Sequence, residues 1–322
     1  MKNNDCPICG LKDYRPFFKI RKYDLVKCRS CSLIFMNSRP SDEKIRGLYN
    51  KNYFQQPDEK SYGYIDYIRE KNIHEKLFLP RIKKIRNYFP SLGKSPKILD
   101  VGCATGFFIE IAKKFGFKAE GVEISKWAAS YGKDQLGLKI HTGTINSLKV
   151  PRKKFDLLTV WDVIEHVDNL DNFLNASHKL LDKKGKLVLT TPNIQSLVAK
   201  VTRKQWFHLA IPFHLYLFSP QTIRKLLERH HFQVIKIESE QNFAGVFEMI
   251  MTILRRVTNQ KPRDIYGNCK SSKVFEKDQS IHIRTLAKMV LKLIALIIYL
   301  PFSTLTFYTK KGELLTVYAI KD

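Results

Sequence analysis

Residues 97–125 read KILDVGCATGFFIEIAKKFGFKAEGVEIS, and the spacing of apolar positions changes along this stretch. Lys97 to Val101 is an apolar run ending at a glycine, which predicts a strand. Gly102 to Gly106 is a tight loop of small residues. Phe107 to Phe115 repeats apolar residues at helical spacing, and Lys118 to Val122 predicts a second strand closed by Glu123. Strand, glycine turn, helix and strand make half of a doubly wound α/β unit, which binds ligands beyond the carboxyl ends of its strands.

The pattern continues downstream. It predicts a helix near Lys126 to Leu136, a third strand near Leu138 to His141 and a fourth at Phe155 to Val160. A helix and a Lys-Gly turn then lead to a fifth strand, Lys186 to Thr191. Ser219 with Pro220 behind it marks a capped helix before a sixth strand, and ELLTVYAIK predicts a seventh. Upstream, YIDYIREKNIHEKLFLPRIKKIRNYF predicts a long amphipathic helix, broken at Pro90-Ser91-Leu92-Gly93. The expected organisation is a ribbon over 1–40, a helical connector over 41–94 and an α/β domain over 95–242. A mostly helical insertion over 243–312 precedes the last strand, 313–322.

The turn excludes two ligand classes. A dinucleotide fingerprint needs a third glycine, which Gly102-Cys103-Ala104-Thr105-Gly106 lacks, and no phosphate-loop Lys-Ser/Thr follows. Asp100 at the strand tip would repel a phosphate and attract an ammonium group.

Composition widens the picture. The 322 residues carry 56 basic against 30 acidic side chains, a formal charge of +26, which favours acidic partners. The start, MKNNDCPICG, has no apolar signal segment, so the expected location is the cytoplasm or the inner face of the membrane. Cys6-x2-Cys9 and Cys28-x2-Cys31 have the spacing of a zinc ribbon. Four thiolates complete a tetrahedron around Zn²⁺ and leave no open position, so the expected metal is structural. Cys103 is expected to be a small loop residue and Cys269 a bystander.

With these segments placed, the chain resembles the class I S-adenosylmethionine-dependent methyltransferases over roughly 95–240, with the last strand at 313–321. LDVGCATG is similar to their first motif, FDLLTVWDVIEHV to the segment around the fourth strand, and LLDKKGKLVLTTPN to the fifth-strand region. PFHLYLFSPQTIRKLLERHHF resembles a stretch of a bacterial small-molecule and glycan subgroup that often carries a paired-CxxC ribbon. Arg39-Pro40-Ser41, Leu48-Tyr49 and Tyr53-Phe54 match a run that follows that ribbon. Ala104 departs from the pattern, where glycine is more common. The implied fold is a Rossmann-like seven-stranded sheet. The implied cofactor site is Asp100, Gly102, Cys103, Gly106, Glu123, Ile124, Thr144, Ile145 and Trp161. Glu123 would take the ribose hydroxyls, Asp100 the cationic methionine end, Thr144 and Ile145 the adenine, and Trp161 the methionine wall.

Methyl transfer is an in-line displacement, so the enzyme aligns a nucleophile, excludes water and where needed removes a proton. The expected catalytic group is His166 as base, with Glu165 beside it and His214 and Tyr216 shaping the acceptor pocket. His208, His230 and His231 are expected on solvated faces. Leu293 to Tyr308 is uncharged but shorter than the roughly 20 residues of a spanning helix. Lys288 and Lys292 give that helix a basic edge. Three readings of it compete: a core helix, a wall for a lipid tail, or an insert at an anionic membrane surface. The leading function is methylation of a small molecule, sugar or lipid-linked glycan precursor, with the oligomeric state open. The alternatives are methylation of RNA and a non-catalytic zinc-ribbon nucleic-acid binder. Both are disfavoured: no Asn/Asp-Pro-Pro-aromatic run follows strand four, and Asp100 and Glu123 are intact.

Overall fold

The computed structural model describes residues 5–39, 47–56, 63–149, 154–259 and 283–322. The chain opens with a ribbon, β1 (Tyr14–Ile20), β2 (Tyr23–Cys28) and β3 (Ile34–Met36). The helices α1 (Lys51–Phe54) and α2 (Lys71–Tyr88) follow. Strands and helices then alternate: β4 (Lys97–Val101), α3 (Phe107–Lys114), β5 (Lys118–Glu123), α4 (Lys126–Asp134) and β6 (Ile140–Thr142). Next come β7 (Phe155–Trp161), α5 (Leu170–Leu180), β8 (Leu181–Pro192), α6 (Leu197–Thr202) and the short β9 (Tyr216–Leu217). The last elements are α7 (Pro220–Arg229), β10 (Phe232–Glu240), α8 (Phe243–Val257), α9 (Ile283–Tyr308) and β11 (Leu314–Lys321).

Seven strands form one sheet in the order β10-β11-β8-β7-β4-β5-β6. β4 pairs in parallel with β5 and β7, whereas β11 is antiparallel to both neighbours. Ile98, Leu99, Leu157, Leu158, Val188 and Leu189 are buried, as expected of central strands covered by helices on both faces. The strand order reverses between β4 and β7, and the crevice beyond their carboxyl ends is where such sheets take ligands. This is the seven-stranded Rossmann-like arrangement that the family resemblance implies, built from the strands the hydrophobic pattern predicts.

Several boundaries differ, each for a local reason. The long connector helix starts only at Lys71, because the Asp66 carboxylate accepts the backbone N–H groups of Ile68 and Arg69 and sets a turn there. β8 begins at Leu181, which pairs with Phe155. Asp182–Gly185 then bulge out before the ladder resumes at Lys186 with Leu157. His230 is not solvated: it is buried, with ring nitrogens on the Leu226 carbonyl and the Asp171 carboxylate. His208 is half-buried, and His231 is exposed. The side chains of Lys288 and Lys292, and all of Cys269, lie outside the described residues.

Candidate cofactor and acceptor site

A cavity of about 270 Å³ opens at the β4/β7 switch point. Its floor is the turn after β4. Gly102 has φ +72°, and a Cβ there would collide with the Val163 side chain. Gly106 has φ +90°, and its Cβ would collide with Leu138, so this glycine serves packing beneath the turn rather than the cavity wall. Ala104 also sits in the left-handed region, at φ +49°, at a cost of roughly 1–2 kcal/mol. Its N–H donates to Glu123 Oε2 at 2.9 Å. Cys103 is buried and packs its sulfur against Gly121 on β5, not against the cavity.

Glu123 stands at the end of β5 and lines the cavity. Its Oε1 accepts from Ser125 N at 2.8 Å, and the carboxylate, with about four acceptor sites in all, keeps capacity for a further donor. Burial raises its pKa, and the backbone donors partly offset that. Asp100 lies behind the turn, accepting from Thr159 Oγ1 at 2.7 Å. It is pushed up to about 8, first by burial and also by the charge of Glu123, while the Thr159 bond opposes the shift. Ile124, Thr144, Ile145 and Trp161 all line the cavity.

The opposite wall comes from the segment between the ribbon and β4, part of which matches the run after the ribbon but carries no expected role in the site. Tyr49, Tyr53, Phe54, Tyr64, Tyr67, His74, Phe78 and Arg81 all face the cavity. The rings brace one another: Tyr64 and Tyr67 lie 4.7 Å apart, and Tyr67 stacks on Phe107 at 5.4 Å. The available signal is the density of tyrosines before and within the predicted amphipathic helix. Arg81 is 3% exposed, yet among the described residues none of its three guanidinium nitrogens has a hydrogen-bond partner. It lies over the Trp161 ring at 4.9 Å. A buried unpaired cation is costly, so the site calls for an anionic group on the ligand. His74 beside it is pushed down to about 4, first by burial and then by the Arg81 charge.

Beside the cavity, Glu165, His166 and His214 bring ligand atoms within 4.8 Å of one another. His166 alone of the three lines the cavity. Its Nδ1 is 3.1 Å from the Phe213 carbonyl and 3.0 Å from the Tyr49 hydroxyl. A carbonyl only accepts, so a bond to Phe213 puts the proton on Nδ1 and leaves Nε2 as the basic nitrogen. Burial pushes His166 down to about 4, so the imidazole is neutral at ordinary pH. His214 donates Nδ1–H to the His208 carbonyl at 2.7 Å and is also held neutral, by burial and then by His166. Glu165 is buried with Oε2 on Thr191 Oγ1 at 3.0 Å and Oε1 unpartnered. Burial, then Asp162, pushes its pKa up strongly. One carboxyl and two imidazoles suit either a proton relay or a divalent cation.

Residues 70–237 match a family of methyltransferase domains. The chain belongs to that family. Its curated relatives include the ubiquinone biosynthesis O-methyltransferase of Pelagibacter ubique, 31% identical over 105 residues, 31% of this chain and 43% of that protein. The enzyme of the same name from Bartonella bacilliformis is 27% identical over 154 residues, 43% of this chain and 60% of that protein. The chain thus spans about half the length of the curated relatives it matches. A SAM-dependent methyltransferase from Archaeoglobus fulgidus aligns with a TM-score of 0.48 and 19% identity, over 79% of this chain and 99% of that one. The Haemonchus contortus phosphoethanolamine N-methyltransferase 2 aligns at 0.45 and 15%, over 76% and 52%.

The ribbon is joined to the methyltransferase domain through the segment that leads into α7. β3 pairs with β9, so Tyr216 and Leu217 complete the ribbon sheet. Met36 N–H donates to the Leu215 carbonyl, and Leu215 N–H to the Glu165 carbonyl. This corrects the expectation for Tyr216. Its hydroxyl accepts from Arg39 at 2.7 Å and donates to the Asp168 carbonyl at 3.1 Å, and the ring is absent from the cavity wall because pairing with Phe35 fixes the strand. At the far end of the ribbon, Cys6, Cys9, Cys28 and Cys31 converge within 4.8 Å. The Cys6–Cys31 and Cys9–Cys28 sulfurs are 3.3 and 3.5 Å apart. A tetrahedron with metal–sulfur bonds of about 2.3 Å separates its sulfurs by roughly 3.8 Å, so the four residues fit Zn²⁺ with small adjustment.

Proposed function

We propose that the protein is an S-adenosylmethionine-dependent methyltransferase acting on a hydroxyl of a small-molecule acceptor, a sugar or lipid-linked glycan precursor among them. The observation that carries this reading is one cavity lined by Glu123, Arg81 and His166. Glu123 accepts from the ribose hydroxyls, and Arg81 pairs with the methionine carboxylate, which answers its missing partner. Gly102 gives the ligand close approach to the backbone. Asp100 stands behind the turn on Thr159, off the cavity wall, and has no contact with the ligand in this reading. The named relatives are O-methyltransferases, which favours an oxygen acceptor.

His166 takes the hydroxyl proton as the oxygen attacks the methyl carbon, and the C–S bond breaks to leave a neutral thioether. Tyr49 and Phe213 hold the ring, and Glu165 and His214 stand behind it. The aromatic wall keeps water from the sulfonium. A second reading rests on the unpartnered Glu165 Oε1: a divalent cation on Glu165, His166 and His214 would lower the acceptor pKa instead. The four-cysteine ribbon holds a structural Zn²⁺ that keeps the acceptor loop in place. The test is release of S-adenosylhomocysteine with a panel of phenols, sugars and polyprenyl-linked sugars, with and without added Mg²⁺. Turnover with an alcohol or phenol supports the proposal. Turnover confined to amines, or absence of cofactor binding, contradicts it.

A further inference from the structure

We propose that the outer face of the α8–α9 pair docks on an anionic lipid surface. α9 is anchored along one side: the Tyr299 hydroxyl donates to the Gln241 carbonyl at 3.0 Å, and the Thr306 carbonyl accepts from Ser239 Oγ at 2.9 Å. Its other side is apolar and open. Ile297 is 75% exposed, Leu300 70% and Tyr308 78%, and Val257 on the neighbouring α8 is 76% exposed. Leu293 to Tyr308 contains no charged residue. An apolar group of this size on the outside of a folded domain marks a surface that something covers.

The charges around it say what. Lys310 and Lys311, both exposed, end the apolar run, and the Lys311 carbonyl is bound by the N–H of Leu197 on α6. Just beyond α6, a second cavity of about 370 Å³ is walled by Arg203, Lys204, Arg255 and Arg256 together with Phe18. Arg255 pairs with Glu248 at 3.2 Å. An apolar helix face edged by this many cations matches a membrane interface, where acyl chains lie under phosphate headgroups. A second copy of the chain fits worse, because a two-fold contact would set the same cations against themselves on a molecule of formal charge +26. Among the described residues no helix is long and apolar enough to cross a bilayer, and the proposed contact is with the surface of one. α8 leaves the end of β10 and α9 returns to the start of β11, which pairs with the end of β8. Both junctions lie at the sheet edge where the cavity opens. This inference does not depend on the methyl-transfer reading.

The test is flotation of the full-length protein with vesicles of phosphatidylcholine alone or of phosphatidylcholine with phosphatidylglycerol. Binding to the anionic vesicles should exceed binding to the neutral ones and weaken as salt shortens the screening length. Ile297→Asp with Leu300→Asp should abolish flotation. Arg203→Glu with Lys204→Glu and Arg256→Glu should weaken it by about a hundredfold or more. Both variants should keep the wild-type circular dichroism spectrum and thermal midpoint. Equal binding to neutral vesicles, or none to either, overturns the proposal. So does a wild-type dimer in sedimentation that the Ile297→Asp, Leu300→Asp variant dissolves.

Discussion

The two sides of the central cavity are built in different ways. The cofactor side comes from neighbouring strand ends, with Gly102 after β4, Glu123 ending β5, Thr144 after β6 and Trp161 ending β7. Its recognition groups are set by backbone geometry and short-range bonds, such as Ala104 N–H to Glu123. The acceptor side is gathered from distant segments: Tyr49 meets His166 across 117 residues of sequence, and the ribbon contributes through Met36 and Leu215. A ligand common to a family can be held by regular structure, whereas a particular acceptor is shaped by irregular segments that other parts of the chain must hold in place.

If the sides are separate, damage on one should spare the other. The largest effect is expected at the base. His166→Asn should lower turnover by about 10²–10⁴-fold, as for loss of a general base, with cofactor affinity unchanged. Steady-state kinetics beside a cofactor titration checks both. Cys28→Ser comes next. Loosening the ribbon should shift the Leu215–Glu165 connection, and a displacement near 1 Å costs on the order of 10²-fold in turnover. Cofactor affinity should persist, and elemental analysis should show about one Zn²⁺ per wild-type chain and less in the variant.

The difference in construction also sets what the sequence could disclose. Gly102, Glu123 and the strand order follow from apolar runs and turns of a few residues, where local spacing and function coincide. Arg81 did not stand out. Its place on an amphipathic helix looks like an ordinary solvated charge, and only the folded packing against Trp161 and Phe78 leaves it buried and unpaired. Tyr216 misled for the converse reason. It lies two residues after His214 and so groups with it in the sequence, but pairing of β9 with β3 commits its ring to the ribbon sheet and away from the cavity wall. The ribbon spacing was legible, while its attachment to the acceptor loop is a long-range pairing with no local mark.

Two smaller effects sharpen the boundary. Arg81→Met should weaken cofactor binding by about 1.5–3 kcal/mol, the range for a hydrogen bond to a charged group, and leave turnover at saturating cofactor nearly unchanged. The variant's kcat and cofactor dissociation constant, taken together, check the side to which Arg81 belongs. The acid limb of kcat/KM should move least. Burial holds His166 down to about 4, so the base stays neutral and the rate is lost only as pH falls through that region rather than near 6.5. A pH profile on a well-buffered wild type locates the limb, and one centred near 6.5 would place the histidine in water.

The separation of the two sides is tested most directly by calorimetric titration of S-adenosylhomocysteine into wild type, Glu123→Ala and His166→Asn under one set of conditions. The account predicts a loss of about 1.5–3 kcal/mol for Glu123→Ala, from the charge-assisted bonds to the ribose, and wild-type affinity for His166→Asn. Wild-type affinity in folded Glu123→Ala, or a loss of that size in His166→Asn, would contradict it.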